Sequence, residues 1–392
     1  MQPTAIYASR ILTPQEELAD KVILVEDGRI SAIGHRDEIR IPEGCRDYVA
    51  HGATIVPGFV DVHIHGAGGH DVMEGNAKAL NRVAEVLARH GTTSFLATTV
   101  TAPVEDTTRS LEGIARYIRD HQAGPRGEHA SAEIVGVHLE GPFISRQQRG
   151  VHPPDDILKP SIPLFDQFFH AAGGLVRLIT IAPENPGALE LIAHAVSKGV
   201  VVGIGHTDAD FDQARAGIKA GARHAVHMFN AMRAFTHRDP GVIAAILTDP
   251  EITAEIIADG VHVSAPAMQV LLLAKGLDQV LLVSDGIAAT GMRDGCYRLG
   301  TSEVDVAGGV ARNKEGKLAG STLTLDRALR TMVSLGVPLE DAVRMATILP
   351  ARRLGLAGKK GMLVVGADAD IVALSPDLRV AGVMTRGIGL GN

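Results

Sequence analysis

From about residue 55 to residue 285 the chain repeats one pattern. A short apolar, β-branched run is followed by a stretch with apolar residues at helical spacing. The apolar runs are Ile55–His65, Thr93–Thr99, Ile134–Glu140, Leu175–Ile181, Val200–His206, His224–Phe229, Glu251–Ala258 and Val280–Ser284. Amphipathic patterns over Ala77–His90, Gly187–Lys198, Asp210–Ala220 and Pro266–Lys275 predict helices between them. Near-continuous apolar strands alternating with helices indicate a parallel sheet. Eight such units predict an α/β fold of the (β/α)8 TIM-like barrel type.

The two ends read differently. Residues 1 to about 54 carry β-rich runs such as Lys21–Val25 and Arg29–Ile33, joined by the hairpin signal Glu26-Asp27-Gly28. The tail returns to strands over Asp370–Leu374 and Arg379–Met384. The ends are expected to pair in a small β domain, 1–54 with 360–392, flanking a barrel over 55–359. A polar, Gly-rich stretch, Ala289–Gly316, reads as an inserted loop or hairpin after the eighth strand. Two further helices are expected over Leu325–Leu335 and Leu339–Leu354.

Composition narrows the function. A chain of 392 residues, 45% of them hydrophobic, fits one large α/β domain with a smaller satellite. A net charge of −7 argues against a nucleic-acid or membrane-surface binder, and the absence of Trp removes the best base-stacking side chain. A small anionic substrate remains compatible, because one well-placed Arg binds a phosphate. Cys45 and Cys296 are too few for a disulfide framework or a structural zinc site. Neither a signal-peptide pattern after Met1 nor an apolar stretch of about 20 residues is evident. The expected location is the cytoplasm.

Active sites of such barrels sit at the C-terminal ends of the strands. There the chain places Asp61-Val62-His63-Ile64-His65, His138-Leu139-Glu140-Gly141-Pro142, Gly205-His206-Thr207, His227 and Ser284-Asp285-Gly286. His63 and His65 are two apart, so on a strand they face one way, toward a shared ion. Glu140, His206 and His227 add a carboxylate and two imidazoles, the mixed N and O donors that borderline divalent metals take. Asp285 supplies a carboxylate able to move a proton. Together these parts suit hydrolysis of an amide. Any single one of the 17 histidines is more often structural, and a strand-end Asp more often a helix cap. The joint pattern carries the reading.

Several segments resemble one family. They are Pro57–Gly66, His138–Phe143, His206-Thr207, His227-Met228-Phe229-Asn230-Ala231-Met232, Asp259-Gly260-Val261-His262 and Val283–Gly286. Over essentially its full length the chain resembles the N-acetylglucosamine-6-phosphate deacetylases of the amidohydrolase superfamily. The resemblance implies hydrolysis of N-acetyl-D-glucosamine 6-phosphate to D-glucosamine 6-phosphate and acetate. It gives Glu140, His206 and His227 the main metal and Asp285 the general base and acid. It gives His152 the acetyl carbonyl and its oxyanion. Val151, Asn230, Ala231, Arg238, His262, Leu318, Ala319 and Gly320 would contact sugar or phosphate, with Arg238 pairing the phosphate. Because His63 and His65 are kept, the implied cofactor is one or two divalent ions per subunit, zinc or iron. A homodimer is the implied assembly. Two alternatives stay open: the same chemistry on N-acetylgalactosamine 6-phosphate, and another amidohydrolase such as a cyclic-amide hydrolase.

Overall fold

A computed structural model describes residues 2–123 and 129–390. The expected barrel is present. Its strands run Phe59–Ile64, Thr92–Thr99, Glu133–Glu140, Val176–Ile181, Val201–Ile204, His224–Ala225, Thr253–Ile257 and Val280–Val283, each paired in parallel with the next. The last strand closes on the first through a parallel bridge between Ile64 and Gly286. A helix follows each strand, from Ala77–Arg89 after the first to Leu325–Ser334 after the eighth. Local chemistry marks the helix starts. Asn76 Oδ1 accepts from Ala79 N, and Asp210 and Gln213 form a reciprocal capping box.

The two chain ends meet in one sheet. Strands Thr4–Leu12, Glu17–Glu26, Arg29–Gly34 and Arg46–Val49 join Ile371–Leu374, Val380–Thr385 and Ile388–Gly389 through Thr54–Pro57. Asp27 and Gly28, at φ 48° and 78°, make the tight turn that the D-G pair foretold.

Three expectations need correction. The first run, Ile55–His65, is two strands rather than one. It breaks at Gly58, whose N–H bonds Asp370 O and where a Cβ would lie 2.1 Å from Thr93 Oγ1. The sixth run pairs only over His224–Ala225, because the residues beyond it turn into left-handed backbone. Leu339–Leu354 is two helices, Leu339–Ala346 and Ile348–Arg353, broken at Thr347. Pro350 has no N–H to give a continuous helix, and the break places it in the first turn of the second one. The Ala289–Gly316 insertion is ordered as three antiparallel strands, Gly295–Leu299, Ser302–Ala307 and Val310–Asn313.

A buried ion cluster ties the end sheet to the barrel. Lys360 Nζ lies 2.6 Å from Glu133 Oε2, 2.7 Å from Asp370 Oδ2 and 3.1 Å from Asp368 Oδ2. Burial works against the ammonium charge, but the charges of Asp370, Glu133 and Asp368 hold its pKa above the ordinary lysine value. Lys360 is the cation all three acids share, with Arg386 Nη1 also 3.6 Å from Glu133 Oε1, so Lys360→Met is expected to destabilise the fold by about 3–5 kcal/mol in urea unfolding. A raised folded pKa means that this stabilisation is complete below the unfolded value, about 10.4, and fades as pH climbs through the folded one. A midpoint unchanged by the substitution at pH 8 would remove the cluster from the account of stability.

Candidate metal centre and substrate cavity

Side chains from the ends of the first, fifth and sixth barrel strands converge on the buried carboxylate of Glu140, at the end of the third, and Asp285 after the eighth stands beside them. His227 Nε2 is 3.0 Å from Glu140 Oε1, and His206 Nε2 and His63 Nε2 are each 3.2 Å from it. His65 Nε2 lies 3.2 Å from Glu140 Oε2 and 3.2 Å from Asp285 Oδ1. The donor atoms form two groups, Glu140 with His206 and His227, and His63 with His65 and Asp285.

Backbone strain aims three of these side chains. His206, His227 and Asp285 sit at φ 45°, 29° and 49°, in or near the left-handed region that costs a non-glycine residue about 1–3 kcal/mol. Hydrogen bonds pin each one. Ser145 N donates to His206 O, His227 N to Glu255 Oε2, and Asp285 N to His63 O.

The hydrogen bonds also assign tautomers. His206 Nδ1 faces Gln148 O at 2.9 Å, His65 Nδ1 faces Thr98 O at 3.0 Å, and His63 Nδ1 faces Glu255 Oε2 at 2.9 Å. Carbonyl and carboxylate oxygens only accept, so each Nδ1 carries the proton. In a neutral ring with its proton on Nδ1, Nε2 is the lone-pair nitrogen, and Nε2 is the atom that faces Glu140. His63 Nε2 is fully buried with no hydrogen-bond partner. Lone pairs packed around a carboxylate repel unless positive charge lies among them.

Electrostatics give the same demand for positive charge, which a proton on Nε2 meets when no metal does. Burial acts to lower His63 and His65, but Glu140 with Glu255 lifts His63 well above the ordinary value, and Asp285 with Glu140 lifts His65 to about 9. Burial also opposes the charge of Glu140, yet the charge of His63 and the contacts with His152, His206 and His227 hold its pKa well below the usual range. Burial pushes His206 down to about 4, leaving it a neutral donor. Four imidazoles and two carboxylates in this arrangement fit a divalent transition metal.

His152 is the opposite tautomer. Thr101 N donates to its Nδ1 at 3.3 Å, and Thr101 Oγ1 lies 2.8 Å away. Nδ1 is therefore the acceptor and Nε2 carries the proton. That N–H points into the centre, 3.5 Å from Glu140 Oε2. Such a ring is a hydrogen-bond donor rather than a ligand.

Above the centre opens a cavity of about 290 Å³, close to the lower size limit of small-molecule sites. His65, Glu140, His152, His206, His227 and Asp285 form its floor. Of the residues expected to meet substrate, Val151, Asn230, Ala231, His262, Leu318 and Gly320 line it. His262 Nδ1 lies 2.7 Å from Asp259 Oδ2; burial opposes its charge, but this partner raises its pKa. Two expected residues are elsewhere. Ala319 points away, into an apolar cluster with Ile287, Val304 and Ala311 under the three-stranded insertion. Arg238 is exposed on the loop after the sixth strand and does not line the cavity of its own chain.

The sequence reading did not single out Gln147, Gln148, Leu299 and Lys317, which also line the cavity, nor Thr98, Thr101 and Glu255, which orient its histidines. Glu255 had a signal: a lone acid inside the apolar strand Thr253–Ile257. A larger cleft of about 740 Å³, lined by Asp71, Arg109, Tyr297 and others, shares no residue with the metal centre.

Comparison with known proteins adds an independent line. Residues 54–388 match the model of the amidohydrolase family. The chain is 39% identical to the N-acetylgalactosamine-6-phosphate deacetylase of Escherichia coli O157:H7, over 97% of this chain and 98% of that one. It is 35% identical to the N-acetylglucosamine-6-phosphate deacetylase of Bacillus subtilis (strain 168), over 96% and 94%. Among solved structures, the D267A mutant of N-acetyl-D-glucosamine-6-phosphate deacetylase from Mycobacterium smegmatis, in complex with N-acetyl-D-glucosamine-6-phosphate, superimposes with a TM-score of 0.91. It is 38% identical, and both chains are covered in full.

Proposed function

The chain belongs to the amidohydrolase family, and from that membership and its buried donor set we propose that it deacetylates N-acetyl-D-glucosamine 6-phosphate, releasing acetate and D-glucosamine 6-phosphate. One observation carries the reading. Glu140, His65, His206, His227 and Asp285 meet at the floor of one sugar-sized cavity, with His63 buried just behind them, in a chain similar end to end to deacetylases of phosphorylated N-acetylhexosamines.

Glu140, His206 and His227 would hold the main ion, and His63, His65 and Asp285 a second, with Glu140 between them; zinc and iron both suit these donors. A divalent metal in this place polarises the amide carbonyl and acidifies water, which lets the reaction run at neutral pH. Asp285 takes a proton from the attacking water. As the water oxygen bonds the carbonyl carbon, His152 Nε2–H donates to the oxygen on which negative charge grows. Asp285 then returns its proton to the nitrogen, the C–N bond breaks, and amine and acetate leave. Val151, Asn230, Ala231, Leu318 and Gly320 hold the sugar above this floor.

His262 and Lys317 are the cationic side chains of the cavity apart from its floor. Arg238 lies outside, so its phosphate role is supported only where Arg238 of one copy meets the cavity of another. On that ground the active form is a homodimer. Arg238→Ala is expected to raise KM for the phosphorylated sugar by about 10-fold or more, the loss of one charge-assisted pair. Turnover of unphosphorylated N-acetylglucosamine should hardly change. Equal losses on both sugars, or a monomer at working concentration in light scattering, would remove Arg238 from the site.

The deciding experiment is amine release by metal-loaded protein from N-acetylglucosamine 6-phosphate, N-acetylgalactosamine 6-phosphate and unphosphorylated N-acetylglucosamine. Release fastest from the first is expected. The Escherichia coli relative keeps the galactosamine epimer as a second reading, and fastest release from that sugar would select it. No release from any of the three by metal-loaded protein would move the activity to another amide.

A further inference from the structure

Beneath the metal centre, inside the barrel, lies a second acid that the reaction does not use. Glu255 sits in the middle of the seventh strand and is fully buried. Its Oε2 accepts from His63 Nδ1 at 2.9 Å and from the backbone N–H of His227 at 2.9 Å. Its Oε1 lies 2.8 Å from His224 Nε2, and His224 Nδ1 lies 2.7 Å from Thr253 Oγ1. A single carboxylate oxygen therefore touches one member of each donor group. Toward His63 it fixes the proton on Nδ1 and leaves the Nε2 lone pair free to bind. Toward His227 it holds the N–H of a residue in strained backbone, φ 29°, which would not keep that shape unaided.

We propose that Glu255 is the positioning residue that locks both donor groups at once, so that the two metal positions are coupled through it. This rests on the metal-dependent reading above. A buried acid with three partners is costly unless its geometry is held, and His224 holds it from below. Replacing the carboxylate by an alkyl group of similar size, as in Glu255→Leu, removes the one acceptor both groups use, which frees the His63 ring to take the other tautomer and relaxes the backbone of His227.

The test is Glu255→Leu in the full-length protein, read by metal content after titration with Co(II) against a chelator and by the visible absorption of the Co(II) form. The expected result is a loss of affinity of about 10–100-fold, as for other partners that orient ligands. It should fall hardest on the second equivalent, with a changed Co(II) spectrum and a native circular dichroism spectrum. Unchanged affinities and spectrum in the variant would overturn the proposal. If Glu255→Leu does not fold, His224→Gln leaves the acid in place and loosens it from below. A smaller affinity loss in the same direction is then expected, and none would overturn the proposal. Wild-type protein that takes up no Co(II) would instead overturn the metal-dependent reading itself, so the two failures are separable.

Discussion

Asp285→Asn is expected to lower kcat by about 10²–10⁴-fold, a barrier increase of about 3–5 kcal/mol, with KM little changed. Asn keeps the size and most of the hydrogen bonding of Asp but cannot take up a proton. Asp285 stands at the rim of the centre, with Oδ1 3.2 Å from His65 Nε2 and 3.5 Å from His63 Nε2. Burial opposes its charge, but the hydrogen bond to His65 and the charges of His63 and His65 hold its pKa below the ordinary carboxylate value, so it enters as a base. Its backbone is clamped between His63 O and Ser321 N, so the exchange should leave the fold intact. Metal held by Glu140, His206 and His227 should remain. A variant that retains metal and turns over at nearly the wild-type rate would assign the proton transfer to another group.

Glu140→Gln should have the larger effect on the metal itself. Five imidazoles, those of His63, His65, His152, His206 and His227, bring an Nε2 within 3.5 Å of this carboxylate. Its charge is what draws a cation among the Nε2 atoms of His63, His65, His206 and His227, while His152 offers an N–H. Losing an outer partner of a ligand costs about 10–100-fold in metal affinity or activity, so losing the shared ligand should cost at least about 100-fold in both. Metal analysis of the purified variant should find well under one ion per chain. Excess metal should restore part of the activity, and chelation of the wild-type protein should mimic the substitution. Full metal content in the variant would mean that the His63–His65–Asp285 group binds without Glu140.

Much of this was legible in the residue pattern. Alternating apolar runs and helical stretches announced the barrel, because a strand buried on both faces must be apolar throughout. The D-G turn of the first hairpin and the caps at Asn76 and Asp210 are local chemistry, readable wherever they occur. The donors were visible too, since the ends of barrel strands are where side chains can converge. What failed was of another kind. Gly58 splits the first run because Thr93 and Asp370 crowd it from other parts of the chain. Ala319 looked like a cavity residue from its neighbours Leu318 and Gly320, but the insertion folds over it and buries it. Arg238 is a different case: it follows the right strand but lies outside the cavity of its own chain, so its proposed phosphate contact depends on a second copy.

The sequence by itself determined which elements form and which side chains stand at the strand ends, because period and residue type are properties of the chain. Only the tertiary structure decided what those side chains face. The tautomers of His63, His65, His206 and His152 depend on Glu255, Thr98, Gln148 and Thr101. Most of these partners are brought there from distant parts of the chain. A hydrogen bond depends on distance and direction in space, and no spacing along the chain encodes either.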